Sequence, residues 1–129
     1  MRKLILMLLL IMLLPACGQD KEKVQEVGYV NITAQEAKKI MDTQEDYIIL
    51  DTRAQEEYDE KHIPGAVLIP HDEILDKAES VLTDKNQLIL VYCRSGRRSK
   101  LASEDLVKLG YTNIKEFGGI IDWPYEIVK

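Results

Sequence analysis

Cysteine and histidine are scarce. The chain of 129 residues has two of each, Cys17 and Cys93, His62 and His71. So few ligands, scattered along the chain, cannot build a metal site around Cys93, and no metal or organic cofactor is expected. No apolar stretch approaches the ~20 residues that cross a bilayer as a helix. Internal repeats and low-complexity segments are missing too, which excludes solenoid and array architectures. Positive charge is in deficit: 17 Lys and Arg stand against 22 Asp and Glu, a net of −5. An acidic chain of this kind is neither a general nucleic-acid binder nor a protein held to anionic lipid by charge.

What the N-terminus does have is a short basic start, Met1-Arg-Lys3, followed by the unbroken apolar run Leu4 to Leu14. Eleven residues with no polar face read as the core of a secretory signal. Leu14-Pro-Ala-Cys17 resembles the bacterial lipobox, in which the cysteine is acylated and becomes the first mature residue. The resemblance implies a signal peptide over 1–16, lipidation at Cys17, and export with anchoring on the extracytoplasmic side of a bacterial membrane. Two acyl chains anchor stably where one is marginal. Polar, charged residues 17–28 form the lipidated tether, and the folded domain spans 29–129. With Cys17 carrying lipid, Cys93 has no disulfide partner, and a leftover thiol in an exported protein is a candidate for reactivity. Loss of Arg2 and Lys3 leaves 15 basic residues against 22 acidic ones, a net of −7.

Within the domain, short apolar runs alternate with helical patterns. Strands are predicted at Val30–Ile32, Tyr47–Leu50, Ala66–Ile69, Leu88–Tyr92 and Ile114–Phe117. Thr33-Ala-Gln-Glu36 is a capping box opening a helix that buries Ala37, Ile40 and Met41. Further helices are predicted over 54–60, over 73–82 with Ile74, Leu75, Ala78, Val81 and Leu82 on one side, over 98–109, and briefly after Gly119. This order marks an α/β domain with a mainly parallel sheet. Asp51, Arg53 and Cys93 follow strand ends, on the edge where ligands bind in open α/β sheets.

The stretch Leu88-Ile-Leu-Val-Tyr-Cys93-Arg-Ser-Gly-Arg-Arg-Ser99 carries the chemistry. A strand covered on both faces ends on a cysteine, and a helix begins a few residues later. Free N–H groups at a helix start, the adjacent loop N–H groups and three arginines all favour thiolate over thiol. Gly96 gives the loop backbone angles that a side chain forbids. The alternative is a buried, inert cysteine. Arg94, Arg97 and Arg98 with Gly96, all within five residues, favour the nucleophile. Asp51 and Arg53 read as a charge pair that braces the loop. His62 anchors a turn before Ile-Pro-Gly, His71 is a surface residue, and Tyr58 and Trp123 are core or rim aromatics.

Cys93-Arg-Ser-Gly-Arg-Arg-Ser99 resembles the active-site loop of single-domain rhodaneses, the thiosulfate sulfurtransferase family. Ile48-Ile-Leu-Asp51-Thr-Arg53, Glu56-Glu-Tyr58, His62-Ile-Pro-Gly-Ala66 and Gly118-Gly119-Ile-Ile-Asp-Trp123 resemble that family's other recurring segments, in the same order. The resemblance implies a rhodanese-like three-layer domain, with a five-stranded, mainly parallel sheet flanked by helices. It also implies sulfur transfer from thiosulfate or a similar small anionic donor to cyanide or a thiol, through a Cys93 persulfide. Arg94, Ser95, Gly96, Arg97, Arg98 and Ser99 would hold the substrate. Two other readings stay open. One is a persulfide carrier or redox sensor fed by a protein partner. The other is an enzyme of phosphate or arsenate, whose related loops place arginine six residues after the cysteine, where this chain has Ser99.

Overall fold

The computed structural model describes residues 28–129, and the predicted signal peptide, Cys17 and nearly all of the predicted tether lie outside them. Five strands form one sheet: β1 (Tyr29–Asn31), β2 (Tyr47–Asp51), β3 (Val67–Leu68), β4 (Leu88–Cys93) and β5 (Ile114–Gly119). Their spatial order is β1-β5-β4-β2-β3, and every pairing is parallel. Parallel neighbours cannot be joined by tight hairpins, so each connection crosses over. The crossovers carry α1 (Ala34–Thr43), α2 (Gln55–Glu60), α3 (Ile74–Val81) and α4 (Arg97–Lys108). The fold is α/β, as the sequence predicted.

β4 is the central strand, and all six of its residues are buried. Its alternation divides the core into two layers. Ile89 and Val91 pack with Ile74, Ala78 and Leu82 of the α3 segment and Ala102 and Leu106 of α4. Leu88, Leu90 and Tyr92 pack on the other face with Ala37 of α1, Phe117 and Trp123. Cys93 continues the parity of Ile89 and Val91, which aims it toward the start of α4.

The chain leaves β2 toward β3 and leaves β4 toward β5, in opposite directions across the sheet. The carboxyl ends of these neighbouring strands therefore flank a topological switch point, where open sheets leave a crevice. Asp51 and Cys93 end the two strands.

Several boundaries differ from the predicted ones. α1 opens on the capping box, with the Glu36 N–H donating to Thr33 Oγ1 at 3.0 Å and the Thr33 N–H to Glu36 Oε1 at 3.3 Å. β1 starts one residue earlier than predicted, and β3 pairs over two residues rather than four. α2 starts at Gln55 rather than Ala54. On α3 the inward stripe is Ile74 and Ala78, continued by Leu82, whereas Leu75 and Val81 are about half exposed, at 52% and 48%. A 3-10 turn, His71–Glu73, precedes α3. β5 runs on to Gly119, and the final short helix is a 3-10 turn, Ile120–Asp122, with Trp123 just beyond it.

Candidate active site

Cys93 sits at the end of the most buried strand and is itself only 1% exposed. The chain then turns sharply through Arg94 and Ser95 to Gly96, which caps α4 with φ +107°, in the region that favours glycine. The turn folds back over the sulfur. The Gly96 N–H donates to Cys93 Sγ at 3.0 Å, and Ser99 Oγ lies 3.3 Å from the same sulfur.

Burial alone would push the Cys93 thiol up. The Ser99 hydroxyl and the backbone N–H groups of Ser99, Gly96 and Ser95 outweigh it, and the thiol ends below its ordinary value. The direction is that expected from the sequence, but the cause differs. Hydrogen bonds made by the folded loop lower the thiol, and the arginines are not among the principal causes.

The three arginines separate into two kinds. Arg94 and Arg97 are exposed at the loop, as is Ser95. Arg98 is half-buried and forms a two-point pair with Glu57 of α2, Nη1 to Oε1 at 2.5 Å and Nη2 to Oε2 at 2.9 Å. Its charge is thus shared with a carboxylate before any substrate arrives. The Arg98 hydrogen bond, helped by the Ala54 N–H and the charges of Arg98 and Arg53, holds Glu57 down to about 2 from 4.5 against the effect of burial. The resulting stabilisation is present above about pH 4.5 and is lost as pH falls toward 2. With both side chains partly exposed, solvent screening reduces it to about 1 kcal/mol. Chemical denaturation of the full chain across this range is expected to show that loss, and Glu57→Gln to remove it.

Asp51 and Arg53 form the predicted charge pair, entirely inside the protein. Arg53 Nε and Nη2 donate to both Asp51 oxygens at 2.7–3.1 Å. The same pair ties three segments together. Tyr92 Oη donates to Asp51 Oδ2 at 2.7 Å, and Arg53 Nη2 donates to the Lys61 carbonyl at 2.6 Å. The brace therefore grips the residue before Cys93 and the chain leading to His62. It makes no hydrogen bond to loop residues 94–99, so it supports the loop through Tyr92. His62 stacks on Tyr58 at 3.8 Å between ring centroids and bonds the Val128 backbone, the turn-anchoring part expected of it. His71 starts the 3-10 turn, and its backbone N–H donates to the Thr52 carbonyl at 2.9 Å. No group of three potential metal ligands exists among the described residues.

Beside Glu57, two residues of β5 were not assigned to the site in the sequence. Glu116 of β5 is a carboxylate only 2% exposed beneath the loop, with Oε1 2.6 Å from Ser99 Oγ and 2.9 Å from the Gly118 nitrogen. A hint was available: Glu116 shares the inward parity of Ile114, where an acid is out of place. Gly119 pairs with Cys93 at a register shift between β4 and β5. A Cβ there would lie 1.9 Å from the Arg94 carbonyl oxygen, so the loop rests directly on the glycine.

Residues 33–124 match the rhodanese-like domain family. The chain is 38% identical over 80 residues to the thiosulfate sulfurtransferase PspE of Escherichia coli, covering 62% of this chain and 77% of that protein. It is also 38% identical over 93 residues to the putative sulfur carrier protein YrkF of Bacillus subtilis, covering 71% of this chain and 49% of YrkF. In the yeast adenylyltransferase and sulfurtransferase UBA4 of Meyerozyma guilliermondii the match, at 37% identity, spans 64% of this chain but only 21% of that longer protein. Among solved structures, a rhodanese with anions from E. coli superposes with a TM-score of 0.61 at 36% identity, over 64% of this chain and 98% of that one. A rhodanese-related protein from Thermoplasma volcanium gives 0.67 at 28% identity, over 78% and 98%. Five parallel strands, a cysteine loop at the switch point and relatives that move sulfur agree: the chain belongs to the rhodanese-like family of sulfurtransferase domains.

Proposed function

We propose that the protein moves sulfane sulfur from thiosulfate, or a similar small anionic donor, to a thiophilic acceptor through a persulfide on Cys93. The observation that carries this reading is the ring of donors around one sulfur: the Gly96 N–H at 3.0 Å and the Ser99 hydroxyl at 3.3 Å, with a lowered thiol. The Cys93 thiolate attacks the outer sulfur of thiosulfate. A bond forms between Cys93 Sγ and that sulfur, the sulfur–sulfur bond of thiosulfate breaks, and its electron pair leaves with sulfite. Arg94 and Arg97, exposed at the loop, draw the dianion in and offset the charge on the departing sulfite. The terminal persulfide sulfur inherits the negative charge, and loop N–H groups offer it donors. Cyanide or a thiolate then takes that sulfur, and Cys93 returns as thiolate. The likeness to an E. coli rhodanese solved with anions supports an anion-binding loop of this design.

Lipidation at Cys17 would hold this chemistry on the extracytoplasmic side of a bacterial membrane. The support for that part is the Leu4–Leu14 run and the Leu14-Pro-Ala-Cys17 sequence. The likeness to a putative sulfur carrier favours a second reading, in which a protein partner loads Cys93.

One experiment separates the two. The full chain is incubated with thiosulfate at neutral pH, freed of excess reagent and weighed intact. A gain of about 32 Da, one sulfur atom, that cyanide removes and Cys93→Ser never acquires supports thiosulfate as donor. An unchanged mass, with the thiol still open to alkylation, rejects thiosulfate and leaves the partner-fed carrier.

A further inference from the structure

The fold restrains Arg98 and leaves its two neighbours free. Arg94 and Arg97 form no ion pair among the described residues. Both terminal nitrogens of Arg98 are taken by Glu57, Nη1 by Oε1 and Nη2 by Oε2. That end-on fork is the part of a guanidinium that matches two oxygens of a carboxylate, a phosphate or a sulfonate at once. Glu57 and Arg98 each lie in the first turn of their helix, and α2 follows β2 as α4 follows β4. The contact therefore spans the carboxyl edge between the two switch-point strands. The Arg98 charge also acts on Cys93. A cation beside the nucleophile is thus held, with the loop empty, by a carboxylate of the same chain.

The pair is built to open at little cost. The Arg98 and Glu57 side chains are 23% and 29% exposed, and an ion pair with that much access to water contributes little to stability. Glu57 is not stranded when Arg98 leaves it. Its Oε1 also accepts the Ala54 N–H at 3.2 Å, and the Arg53 charge favours its ionised form. The position of the sulfur supplies the reason to open. Cys93 is buried at a strand end, so the charged end of a donor attacked there has to stay outside the strand, among the loop and the first turns of the helices. Those are the turns that carry Glu57 and Arg98.

We propose that Glu57 is a specificity-determining residue, which competes with the anionic donor for the Arg98 fork and so sets how strongly the loop takes up anions. The proposal rests on Cys93 accepting sulfur from a small anionic donor. With the loop empty, the fork stays on Glu57, and an anion that offers it a single atom gains little by displacing the carboxylate. A donor seated on the loop N–H groups brings two oxygens to the fork. Arg98 then turns from Glu57 to the donor, and Glu57 keeps the Ala54 N–H. When the leaving anion departs, the fork returns to Glu57, so the same carboxylate helps to expel it. No proton and no covalent bond changes place in this exchange. Glu57, held down to about 2, is a carboxylate at neutral pH, and Arg98, pushed further up by Glu57, is cationic.

The test compares two alkylating reagents that differ by one charge. Iodoacetate and iodoacetamide both bond Cys93 Sγ to their methylene carbon as iodide leaves with the electron pair. Only iodoacetate presents two carboxylate oxygens beside that carbon. The ratio of the two rates therefore reports anion recognition, and a change in thiol ionisation cancels from it. In the full chain at neutral pH, peptide-resolved mass spectrometry follows Cys93 apart from Cys17. Glu57→Gln is expected to raise the iodoacetate-to-iodoacetamide ratio about fivefold, and Arg98→Gln to lower it. Glu56→Gln, exposed on the same helix, should leave it within about twofold. The double variant is decisive. A carboxylate that acts only as a nearby negative charge gives Glu57→Gln the same rise with and without Arg98. Competition for the fork predicts that most of the rise is lost in the Arg98→Gln background, where no fork is released. A ratio unchanged in Glu57→Gln, or raised equally in both backgrounds, overturns the proposal. If Glu57→Gln does not fold, Glu57→Asp takes its place. It keeps the charge but falls one methylene short of the two-point contact, so the ratio should still rise, and a ratio that does not rise is fatal. Neither reagent donates sulfur. Failure of the unaltered chain to gain sulfur from thiosulfate would thus count against that donor, while the ratios judge the competition by themselves.

Discussion

Gly119→Ala is expected to fold and to lose about a hundredfold or more in the rate at which Cys93 takes up sulfur. The glycine has φ −132° and ψ 153°, extended backbone open to any residue, so alanine meets no conformational penalty there. The obstacle is space. The added Cβ would stand 1.9 Å from the Arg94 carbonyl oxygen, 2.3 Å from its carbon and 2.6 Å from Ser95 Cα. All three are backbone atoms, so no side chain can swing aside. Ordinary contact needs the loop to retreat by more than an ångström. The Arg94 carbonyl also accepts a hydrogen bond from the Ile121 N–H at 3.2 Å, which opposes that retreat. Overpacking of this kind costs about 1–3 kcal/mol of stability, which most domains survive. The chemistry is less tolerant, since a misplacement of about 1 Å at a reacting centre can cost about 10²-fold. The displaced residues include Ser95, whose N–H helps lower the thiol, so iodoacetamide should also find Cys93 less reactive at neutral pH. Loading kinetics within tenfold of the parent, in a variant with a normal melting curve, would show that the contact between β5 and the loop does not set the reaction.

The parts of this site that were legible in the sequence are the local ones. A buried apolar run ending on Cys93, followed by Gly96 and the arginines, announces a strand, a tight turn and a helix start within twelve residues. The capping box at Thr33 and Glu36 is equally local, and it appears where its spacing predicts. What escaped notice depends on residues far apart in the chain. Glu57 meets Arg98 across 41 positions and Glu116 meets Ser99 across 17, and no periodicity in either segment points to the other. The arginines mislead for the same reason. Counted along the sequence they are three charges beside a thiol, whereas in the fold one is paired and two are exposed, and the Ser99 hydroxyl and the loop N–H groups do the stabilising. The error on α3 is of another kind. Leu75 and Val81 fit an apolar stripe, but at 100° per residue they fall on its two flanks, and only the centre of the stripe, Ile74, Ala78 and Leu82, reaches the core.

Asp51→Ala is expected to cost about 3–5 kcal/mol, the usual penalty for stripping one partner from a buried ion pair. Arg53 would remain 3% exposed with only the Lys61 carbonyl to receive its guanidinium, and Tyr92 Oη would lose the carboxylate it donates to. Against a typical total of about 5–15 kcal/mol, a loss of that size moves the denaturation midpoint far enough to be unmistakable. Replacing both members, Asp51→Ala with Arg53→Met, removes the stranded charge and should recover a large part of the loss. The pattern separates bracing from catalysis. If the pair only holds the carboxyl ends of β2 and β4 in register, the fraction of the single variant that stays folded should load sulfur within about tenfold of the parent, and the double variant should do as well. If either residue touches the sulfur donor, the double variant should regain stability and still fail to load. The geometry predicts the first outcome. Every hydrogen bond made by the two side chains goes to Tyr92, to Lys61 or to the pair itself, so their influence on Cys93 passes through the one peptide link between Tyr92 and the cysteine.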